Sequence, residues 1–341
     1  MKLITFTVPS YNSQNYLHKC LDSLVIGGSE VEVIIVNDGS TDDTEKIARE
    51  YEFRYPNIVR VISKENGGHG SAINEGLKNA TGLYFKVVDS DDWLNEDAYQ
   101  TFMNTIRMHV NQNTMADLYI TNFVYDKVSL NKYFVRTFKK KFKQDTFFTW
   151  KNVKHFYGSQ VLLMHSLTYN TEKLKQSKIH LPHHTFYVDN LFAYKPLPYM
   201  NKMYYMDINL YHYYIGREDQ SVNINMFTKR YEQQISVMEE MVKAYSYEEI
   251  KNMEKGLSNY MFHCLGAIMT ITLLFTVAKD SDERRENLTN MWFFIKNEDI
   301  RLYRILRFWS LPTLVNYIPW KLRGWIMLIG YKFLKRRIKL G

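Results

Sequence analysis

Two rhythms of apolar and polar residues alternate along the first 115 residues. The short apolar runs "KLITFTV", "VEVIIVND", "IVRVIS" and "LYFKVV" read as buried strands. Between them, "SQNYLHKCLDSL", "TDDTEKIAREY" and "SAINEGLKNA" space their apolar residues as helices do. Thr41, Asp42 and Asp43 are side chains that open a helix well. The resulting order βαβαβαβ predicts an α/β fold: a mostly parallel, doubly wound, Rossmann-like sheet flanked by helices. Residues 117–215 read as mixed α+β. Strand-like stretches occur in "ADLYITNFVY", "KYFVRTFKKKFK" and "KMYYMDINLYHYYIGRED", and a helix starts within "FYVDNLFAY". From about Met226 the pattern is helical to the end. The expected division is an α/β domain over residues 1–222 and a helical C-terminal region over 223–341.

Sheets of this kind bind ligands at the carboxyl ends of their strands. The polar clusters fall there: "PSYN" after the first strand, "NDGSTD" after the second, "KENGGHG" after the third and "DSDDW" after the fourth. Asp89 and Asp91 form a D-x-D. If the strand continues through them, both side chains share one face and suit a hard divalent cation such as Mg²⁺ bridging to phosphate. A solvated turn that caps the following helix is the plainer reading of the same residues. Asp38 ends a buried strand, where a carboxylate can accept from a base N–H or a ribose hydroxyl; an Asp-Gly turn is the plainer alternative. Gly67, Gly68 and Gly70 allow close backbone approach ahead of a helix whose N-terminus faces any nearby phosphate. A dinucleotide fingerprint is discounted, because Gly68-His69-Gly70 runs on into Ser71, Ala72 and Ile73 and follows the third strand rather than the first.

Charge and composition narrow the picture. The chain has 341 residues and a net charge of +8, and residues 291–341 hold eleven Lys/Arg against Glu298 and Asp299. The first 290 residues are therefore close to neutral. Two distant cysteines, Cys20 and Cys264, suit a reducing cytoplasm and offer neither a disulfide framework nor a zinc site. "MKLITFTVPSYN" reads as a strand, not a signal peptide. "MFHCLGAIMTITLLFTVA", residues 261–278, is about long enough to span a bilayer, but it contains His263 and three threonines and continues a polar helix. It reads as a buried helix.

The motifs "VPSYN", "VNDGSTD", "NGGHGSAINEG" and "DSDDW", in this order and spacing, resemble the inverting family 2 glycosyltransferases with the GT-A fold. The likeness is close over residues 1–125 and looser to about 222. It implies transfer of a sugar from a UDP-sugar to a hydroxyl of a glycan or lipid-linked acceptor in cell-envelope polysaccharide synthesis. It implies that Pro9, Tyr11 and Asp38 hold the nucleoside, with Gly68 and Gly70 beside the donor. Asp89 would meet the ribose or metal, and Asp91 would ligate Mn²⁺ or Mg²⁺ on the diphosphate. Relatives often carry Arg in "A-R-N-x-G", where this chain has Ile73. They also carry an "E-D" pair where this chain has Val188-Asp189, which leaves Asp189 as the catalytic base. In "YHYYIGREDQSVN", the resemblance places Arg217, Gln220 and Ser221 over the diphosphate and His212 in the metal shell. His183 and His184 fall in an acceptor-side loop.

The tail, residues 301–341, mixes tryptophans with many basic residues. That pattern suits an interfacial helix on an anionic membrane surface, here the inner face of the cell membrane, with the body of the protein in the cytoplasm. A basic helix packed on the body is the plainer reading. No recognition fold for nucleic acid accompanies the charge. Two rival functions stay open. A nucleotidyltransferase would need a Gly-rich loop directly after the first strand, where "PSYN" stands. A non-catalytic sugar-nucleotide- or glycan-binding module would bind donor and transfer nothing.

Overall fold

The computed structural model describes residues 1–130, 132–158, 160–216, 229–308, 317–326 and 329. The chain divides into two compact units, Met1–Lys154 with Leu162–Gly216, and His155–Val161 with Arg217–Gly341.

The first unit is built on a ten-stranded sheet. Its strands are β1 (Ile4–Ser10), β2 (Val31–Asp38), β3 (Val59–Lys64), β4 (Tyr84–Val87), β5 (Trp93–Leu94), β6 (Leu118–Lys127), β7 (Lys132–Arg136), β8 (Phe147–Phe148), β9 (Leu167–Asn170) and β10 (Met203–Tyr214). They lie in the order β3-β2-β1-β4-β9-β6-β10-β5, with β7 on β6 and β8 on β10. The four strands of the βαβ array are parallel to one another. Beyond β4 the sheet is mixed: β9 runs antiparallel to both β4 and β6, while β10 is parallel to β6. β1 lies between β2 and β4, so the strand order reverses there and opens a crevice at the carboxyl ends of β1 and β4.

Helices α1 (Leu17–Val25), α2 (Thr44–Arg54), α3 (His69–Asn79), α4 (Glu96–Asn111), α5 (Thr171–Gln176) and α6 (Asp189–Tyr194) belong to this unit. α1 buries Leu17, Cys20, Leu21 and Leu24, the i, i+3, i+4, i+7 stripe of an amphipathic helix. Each fully buried leucine contributes about 1.5–3 kcal/mol. Every residue of β1 and β2 is buried, as expected for strands covered on both faces. α3 lies close on the sheet. Ala72 packs with Ile34 and Val36, and a Cβ on Gly76 would fall 2.2 Å from Thr7.

The second unit is helical, with α7 (Tyr231–Ala244), α8 (Tyr247–Asn252), α9 (Lys255–Val277), α10 (Asp282–Glu298) and α11 (Ile300–Phe308). Among the described residues α9 is the one helix long and apolar enough to cross a membrane, and 72% of its most apolar window is buried inside the structure. Gln234 of α7 donates to Thr272 on its buried face. Its final carbonyls, at Phe275 and Thr276, accept from the Arg284 guanidinium.

Candidate active site

The carboxylates sit on a turn. β4 ends at Val87, and the Asp92 amide then donates to the Asp89 carbonyl at 2.9 Å, closing a four-residue turn. The D-x-D therefore lies on a turn rather than on a continued strand. In a strand, Asp89 and Asp91 would share a face; in a turn, the first and fourth residues come together. The group that gathers here is Asp89, Asp92 and His165, whose candidate ligand atoms lie within 4.8 Å of one another. Asp91 remains in the turn, and its charge acts on both Asp92 and His69.

Each member is held. Asp89 accepts from the His69 ring at 2.7 Å. Burial works against the His69 imidazolium, but the charge and hydrogen bond of Asp89 outweigh it and raise the His69 pKa. Burial also works against the Asp89 carboxylate, and His69 more than offsets that, so the Asp89 pKa is lowered. Asp92 accepts from the Tyr211 hydroxyl at 2.5 Å and the Tyr214 amide at 2.8 Å. Burial, and then the charges of Asp91 and Asp89, push its pKa well up.

His165 reaches the turn from the neighbouring strand. It lies just before β9, which runs antiparallel to β4. Lys86 of β4, fully buried, donates to the carbonyls of His165 (2.7 Å) and Leu167 (3.3 Å), and burial lowers its pKa to about 7. The His165 ring is 6% exposed and contacts Phe123, Tyr211 and Tyr213. Burial lowers its pKa to about 4, which leaves the imidazole neutral near pH 7. Among the described residues its Nδ1 has no hydrogen-bond partner. Two carboxylates and a neutral imidazole, one nitrogen of which is buried and orphaned, are a donor set that fits a divalent cation.

His212 lies on β10. Tyr211 and Tyr213 flank His165, so His212, between them on β10, faces the opposite side of the sheet. There its Nδ1 lies 3.1 Å from Asp126, its ring stacks on Trp93, and both His212 and Asp126 line a separate cavity of about 520 Å³.

The glycine loop differs from expectation too. The Gly67 and Gly68 amides donate to the Asp38 carboxylate at 2.9 and 2.7 Å, and Lys64 adds a third bond at 2.8 Å. Those amides are spent inside the protein rather than offered to phosphate, and Asp38, 2% exposed, is bound into the loop. The glycines also admit the segment leading to α6. A Cβ on Gly68 would lie 2.9 Å from the His184 amide nitrogen, and one on Gly70 would lie 2.8 Å from the Pro182 carbonyl. The His184 amide donates to the Gly67 carbonyl, and Asn74 bonds Leu181 through both its amide groups. Gly68 also has φ +85°. Gly68→Ala is expected to cost about 1–3 kcal/mol of stability, read as a lowered Tm with weakened UDP affinity. An unchanged Tm would show that the loop accepts a side chain.

This clamp brings Asp189, the first residue of α6, into the electrostatic reach of His69 and Asp89. Burial raises the Asp189 pKa; His69 opposes the rise and Asp89 adds to it. Val188, in the glutamate's place, is buried. Pro9 is buried at the end of β1 and Tyr11 is half exposed. Ser13 and Ser90, their hydroxyls 2.7 Å apart, tie the loop after β1 to the acid turn. Arg217, Gln220 and Ser221 lie outside the described residues. The sequence reading missed His69, Asp92, His165 and Tyr211. Only His69 and Asp92 had a local signal, as neighbours inside two of the motifs.

Residues 5–170 match the family described as glycosyl transferase family 2. The chain is 39% identical over 121 residues to glycosyltransferase GlyA of Streptococcus pneumoniae, covering 35% of this chain and 16% of that protein. It is 38% identical over 108 residues to the minor teichoic acid biosynthesis protein GgaB of Bacillus subtilis, covering 31% of this chain and 12% of that protein. It thus spans only a small part of the length of these relatives. The crystal structure of S. aureus TarS 1–349 in complex with UDP superposes with a TM-score of 0.67 at 22% identity, over 95% of this chain and 88% of that one, a likeness of fold. Residues 5–170, just under half of the chain, are thus what it shares with glycosyl transferase family 2.

Proposed function

We propose that the protein is an inverting glycosyltransferase that moves a sugar from a UDP-sugar to a hydroxyl of a glycan or lipid-linked acceptor in cell-envelope polysaccharide synthesis. The observation that carries this reading is the convergence of the acid turn Asp89–Asp92 and the buried carboxyl of Asp189 on His69, at the carboxyl ends of the parallel strands. TarS, of like fold, was crystallised with UDP and with UDP-GlcNAc, and GgaB is named for teichoic acid synthesis; both support the choice of donor and setting. Pro9 and Tyr11, with Asp38 behind them, form the nucleoside side. Asp89 and Asp91 face the ribose and diphosphate, and Arg217, Gln220 and Ser221 would lie over the diphosphate. A divalent cation at the acid turn would neutralise charge on the diphosphate leaving group. Asp189 accepts the proton of the acceptor hydroxyl as that oxygen displaces UDP at the anomeric carbon, inverting it. Calorimetric titration tests the donor: UDP is expected to bind more tightly than GDP or CDP, and equal affinity for the three would contradict the assignment. A protein that binds a UDP-sugar but never transfers it would be the binding module instead.

The same proposal places the protein at the inner face of the cell membrane. The eleven basic residues after position 290 supply the charge. Leu322, Trp325, Ile326 and Ile329 supply an apolar stripe at i, i+3, i+4 and i+7 that is exposed to solvent. Each basic residue near an anionic surface adds about 1 kcal/mol of attraction, screened by salt. Deleting residues from Ser310 onward is expected to release the protein from anionic vesicles in co-sedimentation and to leave transfer to a soluble acceptor intact. Equal sedimentation of both forms would remove the tail as an anchor.

A further inference from the structure

We propose that the sheet carries a second saccharide site, on the face turned away from His165, which holds an uncharged sugar unit of a glycan chain apart from the donor; that this glycan is the acceptor rests on the reading above. The site is the cavity of about 520 Å³ lined by His212 and Asp126, a size usual for small-ligand sites. Strand alternation and one irregularity build it. Val124 and Asp126 of β6 share a face. Their register partners, His212 of β10 and Tyr133 of β7, line the cavity beside them. The register of β10 shifts between Met206 and Tyr211, and there the adjacent Ile208 and Asn209 both reach the lining. Asp97 and Thr101, one turn apart on α4, complete it.

The lining supplies what a sugar ring asks for. Such a ring carries hydroxyls that donate and accept, set around C–H faces. Asp126 places one oxygen 3.1 Å from His212 Nδ1, and Asn209 accepts from Asn122 through its amide oxygen at 3.2 Å. The second Asp126 oxygen is left to accept and the Asn209 NH₂ group to donate. Tyr133 is 75% exposed, and its ring offers an apolar platform at the rim. A void left by imperfect core packing would be sealed and apolar, whereas the His212 and Asp126 side chains are 20% and 21% exposed. Charge selects among ligands. Among the described residues two carboxylates and no Lys or Arg line the cavity, so a phosphate or nucleotide would be repelled. Lys19, over the Trp93 ring on which His212 stacks, acts on Asp126 and weakens the pull on cations. An uncharged, hydroxyl-rich ligand fits best. Tyr211 and Tyr213 face His165 and the acid turn while His212 faces the cavity, so the two sites can be filled together.

The test probes an array of neutral, amino-bearing and acidic oligosaccharides with the full chain, then titrates the strongest binder by calorimetry. The expected result is binding of neutral oligosaccharides that persists in saturating UDP and weakens at least about tenfold in Tyr133→Ala, the loss of one aromatic platform. Asp126→Asn, which alters the polar side of the cavity, should weaken it as well. Tyr133 is exposed, so Tyr133→Ala should fold and the comparison stands on it even if Asp126→Asn does not. No neutral glycan bound, a preference for acidic glycans, displacement by UDP, or undiminished binding in Tyr133→Ala would each overturn the proposal. If one of these occurs while UDP-sugar turnover persists, only the second site falls. Glycan binding of the expected kind in a chain that neither binds nor turns over a UDP-sugar would keep the site and remove the glycosyltransferase reading.

Discussion

Asp189→Asn is expected to bind UDP-sugar as the wild type does and to transfer the sugar at least about 100-fold more slowly. The asparagine keeps the size of the side chain and the first turn of α6 but cannot take a proton. A base acts in the transition state, so its loss should appear in kcat with little change in donor affinity. The environment suits the role. Burial raises the Asp189 pKa, and the opposition of His69 does not cancel the rise. A raised pKa makes a stronger base, and it also sets a sign. As pH falls through that pKa, the carboxyl protonates and transfer should slow. The acid limb of the kcat profile is therefore expected above the ordinary aspartate range of about 3.9, and it should vanish in Asp189→Asn. A collapse of donor affinity together with rate would make Asp189 a donor-site or structural residue.

Asp89→Asn should have an effect of similar or larger size, and of a different kind. Asp89 anchors His69 and belongs to the cation cluster. Neutralising it removes a charged ligand and releases the imidazolium from its partner. Divalent-dependent UDP affinity and turnover should fall together, turnover by about 100- to 1,000-fold, as for loss of one preorganised charge-stabilising group. Because the side-chain volume is conserved, the melting temperature should move little by comparison. Titrating UDP with and without Mn²⁺ separates the possibilities. A variant whose UDP binding still responds to Mn²⁺ as the wild type does would take Asp89 out of the cation site.

The βαβ array was legible because β1, β2 and β4 are short, wholly buried runs and the helices between the strands space their apolar residues at the helical period. Leu17, Cys20, Leu21 and Leu24 repeat at the helical period, and β2 is apolar almost throughout. The mixed half of the sheet was legible only as strands. Its pairing joins β4 to β9 across some 80 residues, and local pattern carries no information about that. The site followed the same division. Asp89 was legible as a candidate because it opens "DSDDW", and Asp189 because it stands where relatives carry an "E-D" pair. Asp89 and Asp91 would share one face only if the strand ran on past Val87, where the backbone turns instead. His212 alternates with Tyr211 and Tyr213 along β10, which turns it to the other face of the sheet from His165. His165 could not have been found. "LLMHSLTY" is an unremarkable apolar stretch, and the histidine matters only because Lys86 and the β4–β9 pairing carry it to the acid turn. Gly68 and Gly70 were legible as points of close backbone approach. Close approach is required there, by the backbone of Pro182–His184.

The most direct test of the central claim is UDP release by the full chain, measured across a panel of UDP-sugars with a glycan acceptor present, in Mn²⁺ and again after chelation. The account predicts that at least one UDP-sugar yields UDP and a glycosylated product of inverted anomeric configuration, that chelation suppresses both, and that Asp189→Asn abolishes both while still binding the donor. Turnover that survives chelation unchanged, or product that retains the donor's configuration, would contradict it.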